Sequence, residues 1–259
     1  MMNLEERIAL LHSAVLAGSR VVFFGGAGVS TQSGIPDFRS RDGLYNQHYA
    51  YPPEDMLSRT FFYQHTEEFF EFYREKVVLP ALAAKPNAAH QALVRLEDEG
   101  HLRAVITQNI DGLHQAAGSR KVLELHGSIQ RNYCEQCGAF YDAEQVLALL
   151  AVNPSVATGG GGVPRCSRLG CTGLVKPDVV LYEEPLNSEV LDEAVREISE
   201  AEVLIVGGTS LVVNPAASLV GLFRGNTLVV INKSDTWSDA SADILFHEDI
   251  ATVLGGFLG

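Results

Sequence analysis

Four cysteines carry the clearest chemical signal in this chain. Cys134 and Cys137 stand three apart, 28 residues intervene, and Cys166 and Cys171 follow. A close pair answered by a second close pair is the pattern of a tetrahedral four-thiolate zinc site. Gly138 and Gly170 give each pair the turn freedom it needs to converge its sulfurs. Two disulfides could use the same cysteines, but disulfides belong to exported domains short of core, and nothing here indicates export. Four thiolates fill the coordination shell, so no position remains at which to activate water. The expected role of the metal is structural.

A second set of polar residues follows apolar runs that read as strands. Residues 20–24 end in Gly25-Gly26-Ala27-Gly28-Val29-Ser30-Thr31-Gln32-Ser33-Gly34. Small residues at such a place let backbone N–H groups approach a pyrophosphate, helped by the positive end of a following helix. The run lacks the Gly-Lys-Ser/Thr of a nucleotide-triphosphate loop and departs from Gly-x-Gly-x-x-Gly, and a tight structural turn would also use these glycines. Gly207-Gly208-Thr209-Ser210 follows Val206, and Asn232-Lys233-Ser234 follows Ile231. Ligands of open parallel sheets sit outside the carboxyl ends of the strands, so these three loops converge on one crevice that suits a dinucleotide.

Two further clusters follow strands: Thr107-Gln108-Asn109-Ile110-Asp111-Gly112 and His126-Gly127-Ser128. Gln, Asn and Asp are costly at the end of an apolar strand unless they find partners. His126 is the candidate general base, because imidazole titrates near neutral pH. Pro36-Asp37-Phe38-Arg39 adds an aromatic face and a fixed positive charge.

The elements that must position these groups alternate. Helical spacing covers residues 4–17, with Gly18 placed to end it, and Asn87 caps a helix that runs to Glu99. Residues 61–79 read as an aromatic-rich helix closed by Pro80, and residues 187–201 as a further helix. Strands are expected at 102–107, 122–125, 179–182, 203–206, 228–231 and 244–246, giving an α/β fold with a mostly parallel sheet covered on both faces. Residues 40–60 read as a long loop, and the cysteine region as an inserted module with a flexible tip at 159–162.

Composition bounds the rest. With 259 residues, 46% hydrophobic and 20% charged, the chain is an ordinary globular one. A net charge of −13 disfavours nucleic acid as a partner. The most apolar stretch, 211–223, is broken by Asn214 and Pro215, and the N-terminus has no signal-peptide pattern. A soluble, cytoplasmic protein is expected, without a membrane partner and acting as a monomer.

Taken in order, Gly-Ala-Gly-Val-Ser (26–30), Gly-Ile-Pro-Asp-Phe-Arg (34–39), Thr-Gln-Asn-Ile-Asp-Gly-Leu-His (107–114), Leu-His-Gly-Ser (125–128), the four cysteines and Gly-Thr-Ser-Leu (208–211) resemble the sirtuins over nearly the whole chain. The resemblance implies a Rossmann-like large domain (1–127 and 172–259) with a small zinc-binding domain (128–171) inserted. The loop at 40–60 would cover the cofactor. It implies an NAD-dependent protein-lysine deacylase, in which the acyl oxygen attacks C1′ of the nicotinamide ribose and nicotinamide leaves. The histidine at His126 then deprotonates a ribose hydroxyl, and water releases free lysine and O-acyl-ADP-ribose. By position, Ala27, Thr31, Phe38 and Arg39 would contact NAD. Gln108 and Asn109 would hold ribose and a water, and Ile110 and Asp111 the carboxamide. Thr209, Ser210, Asn232 and a group near Ile250 would hold the adenosine half, while Gly26, Gly28, Ser30, Asp37 and Gly208 complete the set. An acyl-lysine peptide would add as a strand between 175–182 and 211–213.

The chain departs from the sirtuin pattern in having Tyr182-Glu183-Glu184 where Phe-Gly-Glu is common. Members that remove succinyl groups carry Tyr-x-x-Arg. Aligning Phe70-x-x-Tyr73 there leaves no cation, so acetyl and other uncharged acyl groups are expected. Mono-ADP-ribosyl transfer at the same site and a non-catalytic NAD-sensing module are the other readings.

Overall fold

The computed structural model describes residues 2–38, 43, 45, 49, 51–152 and 162–258. Among them the chain runs α1 (Leu4–Ala17), β1 (Val21–Gly25), α2 (Pro53–Met56), α3 (Arg59–Gln64), α4 (Thr66–Tyr73) and α5 (Leu79–Ala83). It continues through α6 (Ala88–Asp98), β2 (Leu102–Thr107), α7 (Leu113–Ala117), β3 (Val122–Glu124), β4 (Gly127–Cys134), β5 (Phe140–Tyr141) and α8 (Ala143–Val152). The last elements are β6 (Val175–Val179), α9 (Ser188–Glu200), β7 (Val203–Gly207), β8 (Thr227–Ile231), β9 (Ile244–Phe246) and α10 (Ile250–Gly255).

Six strands form one sheet in the order β3-β2-β1-β7-β8-β9, and every pair is parallel. With the three strands of the smaller sheet set aside, this is the 3-2-1-4-5-6 order of doubly wound dinucleotide-binding sheets, reversing between β1 and β7. Every residue of β1 and β7 is buried, as unbroken apolar strands require when helices cover both faces. Alternation does the sorting: Val21 and Phe23 pack with Leu11, Leu93 and Leu254 of α1, α6 and α10. Val22 and Phe24 point the other way, to Ala194 and Ile198 of α9 and to Leu219.

Caps fix the helix ends where the sequence placed them. Asn3 and Glu6 form a reciprocal capping box on α1, Asn87 caps α6 and Asn187 caps α9. Each such cap contributes about 1 kcal/mol.

Several expectations about the elements need correction. No helix follows β1; two 3-10 turns, Ala27–Val29 and Thr31–Ser33, do, ended by Gly34 at φ 88° just before Pro36. The aromatic segment is not one helix closed by Pro80. It breaks at His65, widens into a π-helical turn over Arg74–Val78, and resumes as α5 with Pro80 in its first turn, where a missing N–H costs nothing. The strand expected at 179–182 is β6, and Pro177 within it faces the register irregularity between Ser128 and Asn132, where a ladder N–H is dispensable. Residues 40–60 are not loop throughout, since α2 and the start of α3 occupy their second half. Residues 40–42, 44, 46–48 and 50, and 159–161 of the expected tip, lie outside the described residues.

The smaller sheet, β5-β4-β6, is antiparallel and takes in β6, beyond the boundary expected at residue 171. Its core also differs from expectation. Phe61, Phe62, Phe69, Phe70 and Tyr73 pack with Ile129, Cys134, Tyr141, Val146 and Val175, so the helical segment shares its core with the cysteine module.

Two histidines are fully buried between α6 and α7. His90 and His114 stand 4.8 Å apart, and three of their four ring nitrogens have no hydrogen-bond partner among the described residues. Burial pushes His90 down to about 4 and His114 to about 3. The unfolded chain binds these protons first, so both groups destabilise the fold progressively as pH falls from about 6.5 toward those values, by up to about 1.4 kcal/mol per pH unit each. The thermal midpoint is expected to drop between pH 7 and pH 5, and His114→Met should flatten that drop; an unchanged slope in the variant would refute the assignment.

Candidate active site

Parallel strands leave their loops at one end, and the reversal between β1 and β7 sends those loops apart around a cleft of about 1000 Å³. The two loops touch at its base. Gly28 N–H donates to the Gly208 carbonyl at 2.8 Å, and Gly26 N–H to Gly207 at 3.3 Å. A Cβ on Gly28 would meet the Gly208 backbone at 2.8 Å, and Gly208 itself takes φ 59°. These glycines are needed for close approach of backbone to backbone.

The cleft brings together Ala27, Gly28, Ser30, Thr31, Asp37, Phe38, Gln108, Asn109, Ile110, Asp111, His126, Gly208, Thr209, Ser210, Asn232 and Ile250. Gly26 stays behind the lining, packed against Thr209. Arg39 lies outside the described residues.

The polar groups at the strand ends satisfy one another. The Ser30 hydroxyl donates to Asp111 Oδ2 at 2.7 Å and accepts from Asn109 Nδ2 at 3.1 Å. Asp111 Oδ1 accepts the Leu113 N–H at 2.9 Å, and Asn109 N–H donates to Thr107 Oγ1 at 3.0 Å. Gln108 Nε2 reaches across the reversal to Thr209 Oγ1 at 3.0 Å, which also accepts the Leu211 N–H. Burial pushes the Asp111 carboxyl above its ordinary range, against the Leu113 and Ser30 hydrogen bonds that hold it down.

His126 closes this set. Its Nδ1 lies 3.0 Å from the Gln108 carbonyl oxygen. A carbonyl only accepts, so Nδ1 carries the proton and Nε2 of the neutral ring holds the free lone pair. Burial pushes the imidazole below its ordinary value, and the Gln108 carbonyl partly restores it.

Lys76 and Tyr45 escaped the sequence reading, and Tyr73 was aligned with the wrong member of the tyrosine–cation pair. Phe70 is buried in the small-sheet core, whereas Tyr73 and Lys76 line the cleft. The tyrosine–cation pair was therefore sought one turn too early. The Tyr73 hydroxyl has no partner among the described residues, and Lys76 Nζ lies 5.8 Å from the Tyr49 ring centre. Tyr45 lines the same side, with its hydroxyl 2.8 Å from that of Tyr182 and its ring edge-on to Phe38. The π-helical turn just beyond Tyr73 was the missed signal, since such turns recur at functional sites.

The four cysteines converge away from the cleft. Cys134 and Cys171 sulfurs lie 3.6 Å apart, Cys137 and Cys166 3.7 Å, and all four fall within 4.8 Å of one another. Tetrahedral zinc with bonds of about 2.3 Å sets its sulfurs about 3.8 Å apart, so the thiols fit the metal. Gly138 and Gly170 take φ 68° and 79°, turning each pair inward.

The Sir2 family model matches residues 26–215, and the chain belongs to that family. A curated NAD-dependent protein deacetylase of Clostridium acetobutylicum is 54% identical over 98% of each chain. One of Clostridium perfringens is 50% identical over 97% of this chain and 98% of its own. A solved structure described as Sir2 with a p53 peptide and NAD+ superposes with TM-score 0.82 at 39% identity, covering 98% of this chain and 96% of the other. Another, described as Sir2 bound to acetylated peptide, gives TM-score 0.81 at 37% identity over the same shares.

Because the metal replaces packing in a small sheet, Cys134→Ser is expected to lower bound zinc and unfold the β4–β6 region first. Metal analysis of the purified variant checks this, and an undiminished stoichiometry would sink the four-cysteine assignment.

Proposed function

We infer that the protein removes acetyl groups from lysine side chains of proteins, using NAD and water and releasing nicotinamide, free lysine and O-acetyl-ADP-ribose. The observation that carries the reading is the state of His126. Its Nδ1 proton is committed to the Gln108 carbonyl, which leaves Nε2 basic in a cleft that also holds Asn109, Asp111, Thr209 and Asn232. The deacetylase relatives match over almost their whole length, and the peptide- and NAD-bound Sir2 structures share the fold.

When bound, NAD supplies an electrophilic ribose carbon, a leaving group and the hydroxyl that receives the acyl group. Ala27, Gly28, Thr31 and Gly208 would hold its phosphates, and Thr209, Ser210, Asn232 and Ile250 its adenosine end. Gln108 and Asn109 would orient the reacting ribose, Ile110 and Asp111 the carboxamide. Asp37 and Phe38 would flank them, with the Phe38 ring excluding water. His126 acts as the general base: Nε2 takes a proton, and the Gln108 carbonyl stabilises the imidazolium that forms. Asn109 and Asp111 keep their orientation through Ser30, so removing the Ser30 hydroxyl should loosen both.

The substrate is an acyl-lysine protein, bound by a monomer in the cytoplasm, and without nucleic acid or membrane. Free thiols arranged for zinc suit a reducing compartment, and no described helix is long and apolar enough to cross a membrane.

Acetyl is the preferred group even though a cation lines the cleft. Lysine is a point charge without the planar fork that grips a carboxylate, and Lys76 leans toward Tyr49. Acetyl-lysine should turn over faster than succinyl-lysine in one peptide, and Lys76→Met should widen that ratio. The reverse order in the unmodified protein would overturn the preference.

The decisive experiment is mass spectrometry of an acetyl-lysine peptide with and without NAD. Acetyl loss only with NAD, together with O-acetyl-ADP-ribose, is expected, and His126→Ala should reduce it by at least about 100-fold. NAD consumed with an unchanged peptide would instead indicate ADP-ribosyl transfer or NAD hydrolysis. Since burial lowers the imidazole pKa, the acid limb of the kcat/KM profile against pH should lie below the ordinary imidazole value of about 6.5.

A further inference from the structure

Glu183 and Leu211 are the two non-glycine residues with positive φ among the described residues. Leu211 is buried, and its conformation is tied down at both ends: its N–H donates to Thr209 Oγ1 and its carbonyl accepts from Trp237 Nε1 at 3.0 Å. Glu183 is different. It takes φ 75°, a conformation glycine would adopt without strain, yet it is exposed and lines the cleft. A strained side chain at a site's rim invites the question of what it faces.

Its carboxylate is held, but only by one oxygen. Thr60 donates to Oε2 from its N–H at 2.9 Å and from its hydroxyl at 2.7 Å. Oε1 makes no hydrogen bond or ion pair among the described residues. These two hydrogen bonds, followed by the nearby Arg59 charge, hold the carboxyl below its ordinary value. Arg59 itself spends its guanidinium over the Tyr63 ring, 5.2 Å from its centre. The neighbouring acids are compensated: Glu184 pairs with Lys176 at 3.1 Å, and Asp178 with Arg131 at 2.7 Å.

The chain also fixes how far this charge stands from the chemistry. Val180 N–H donates to the carbonyl of His126 at 2.9 Å, and Glu183 follows three residues later. Three residues span at most about 10 Å, the reach of two or three residues of an extended substrate. We propose that Glu183 is a specificity-determining residue whose open carboxylate oxygen selects protein substrates carrying lysine or arginine within two positions of the acyl-lysine. Strain is tolerated there because the left-handed turn, pinned by Thr60, aims the carboxylate rather than leaving it to solvent. The inference rests on the deacetylase reading of the same cleft.

The test compares two acetyl-lysine peptides that differ only in basic or neutral flanking residues, by turnover and by anisotropy of labelled peptide. The unmodified protein should favour the basic one. Glu183→Gln, which keeps both Thr60 acceptor contacts, should cut that preference about two- to fivefold, the range of an exposed charge pair, with the change in KM rather than kcat. High salt should erase the same margin, and Glu183→Gly, free of backbone strain, should match the glutamine variant. An equal preference in all three proteins would overturn the proposal while leaving deacetylation intact. Preferential binding lost in both variants without any turnover would uphold the recognition and refute the enzyme reading instead.

Discussion

One main-chain hydrogen bond, Gly28 N–H to the Gly208 carbonyl, sets the geometry on which the site depends. Two adjacent parallel strands end side by side, and the chain leaves them toward opposite faces of the sheet. Their loops must either splay or touch. Here they touch, because neither glycine carries a side chain: a Cβ on Gly208 would sit 2.5 Å from Val29 N. The contact shortens the distance across the reversal enough for Gln108 to reach Thr209, while Ser30 and Asp111 meet on one side of it, on the loops of the neighbouring strands β1 and β2. A wider crevice would leave those groups to water, and with it the reason for their fixed orientation.

From that contact follows a network in which no member is satisfied alone. Ser30, Asn109 and Asp111 are all buried, and each fills a hydrogen-bonding need of the next. An unpaired polar group at such depth costs about 1–3 kcal/mol, so the network resists drift of any one side chain. His126 joins through the Gln108 backbone rather than a side chain, which makes its tautomer a property of the main chain. Across the cleft, the opposing wall is held by a different device. The small sheet has too few strands to build a core of its own, and it borrows six aromatic rings from α3 and α4 while the cysteines stand ready to close the far end around zinc.

Much of the large sheet was legible because its information is local. Unbroken apolar runs such as 203–206 have one stable placement, inside a parallel sheet, and Asn87 and Asn187 announce helix starts by side-chain chemistry that acts over three residues. The smaller sheet was less legible for the converse reason. Val-Lys-Pro-Asp-Val looks unlike a strand, and it becomes one because β4 offers a register irregularity opposite Pro177 and burial on alternate residues only. Domain boundaries drawn from the cysteines missed β6 and the borrowed helices, since packing partners distant in sequence leave no periodicity to read.

The site divides in the same way. Residues at strand ends were legible as neighbours in one cleft by topology alone, because every carboxyl end of a parallel sheet faces the same crevice. Tyr73 and Lys76 were not, and the cause is geometric. A regular helix over 61–79 would repeat its stripe every 3.6 residues, but the chain breaks at His65 and widens at Arg74–Val78, so the stripe cannot be extrapolated through it. The break also explains why rings that look equivalent in sequence have different fates: Phe69 and Phe70 serve the small-sheet core alone, while Tyr73, one position short of the wide turn, belongs to that core and also lines the cleft. The sheet thus supplies a rigid floor whose chemistry can be read from strand ends. The irregular helical wall lines the remainder of the cleft, and its course follows from how the chain departs from regular structure.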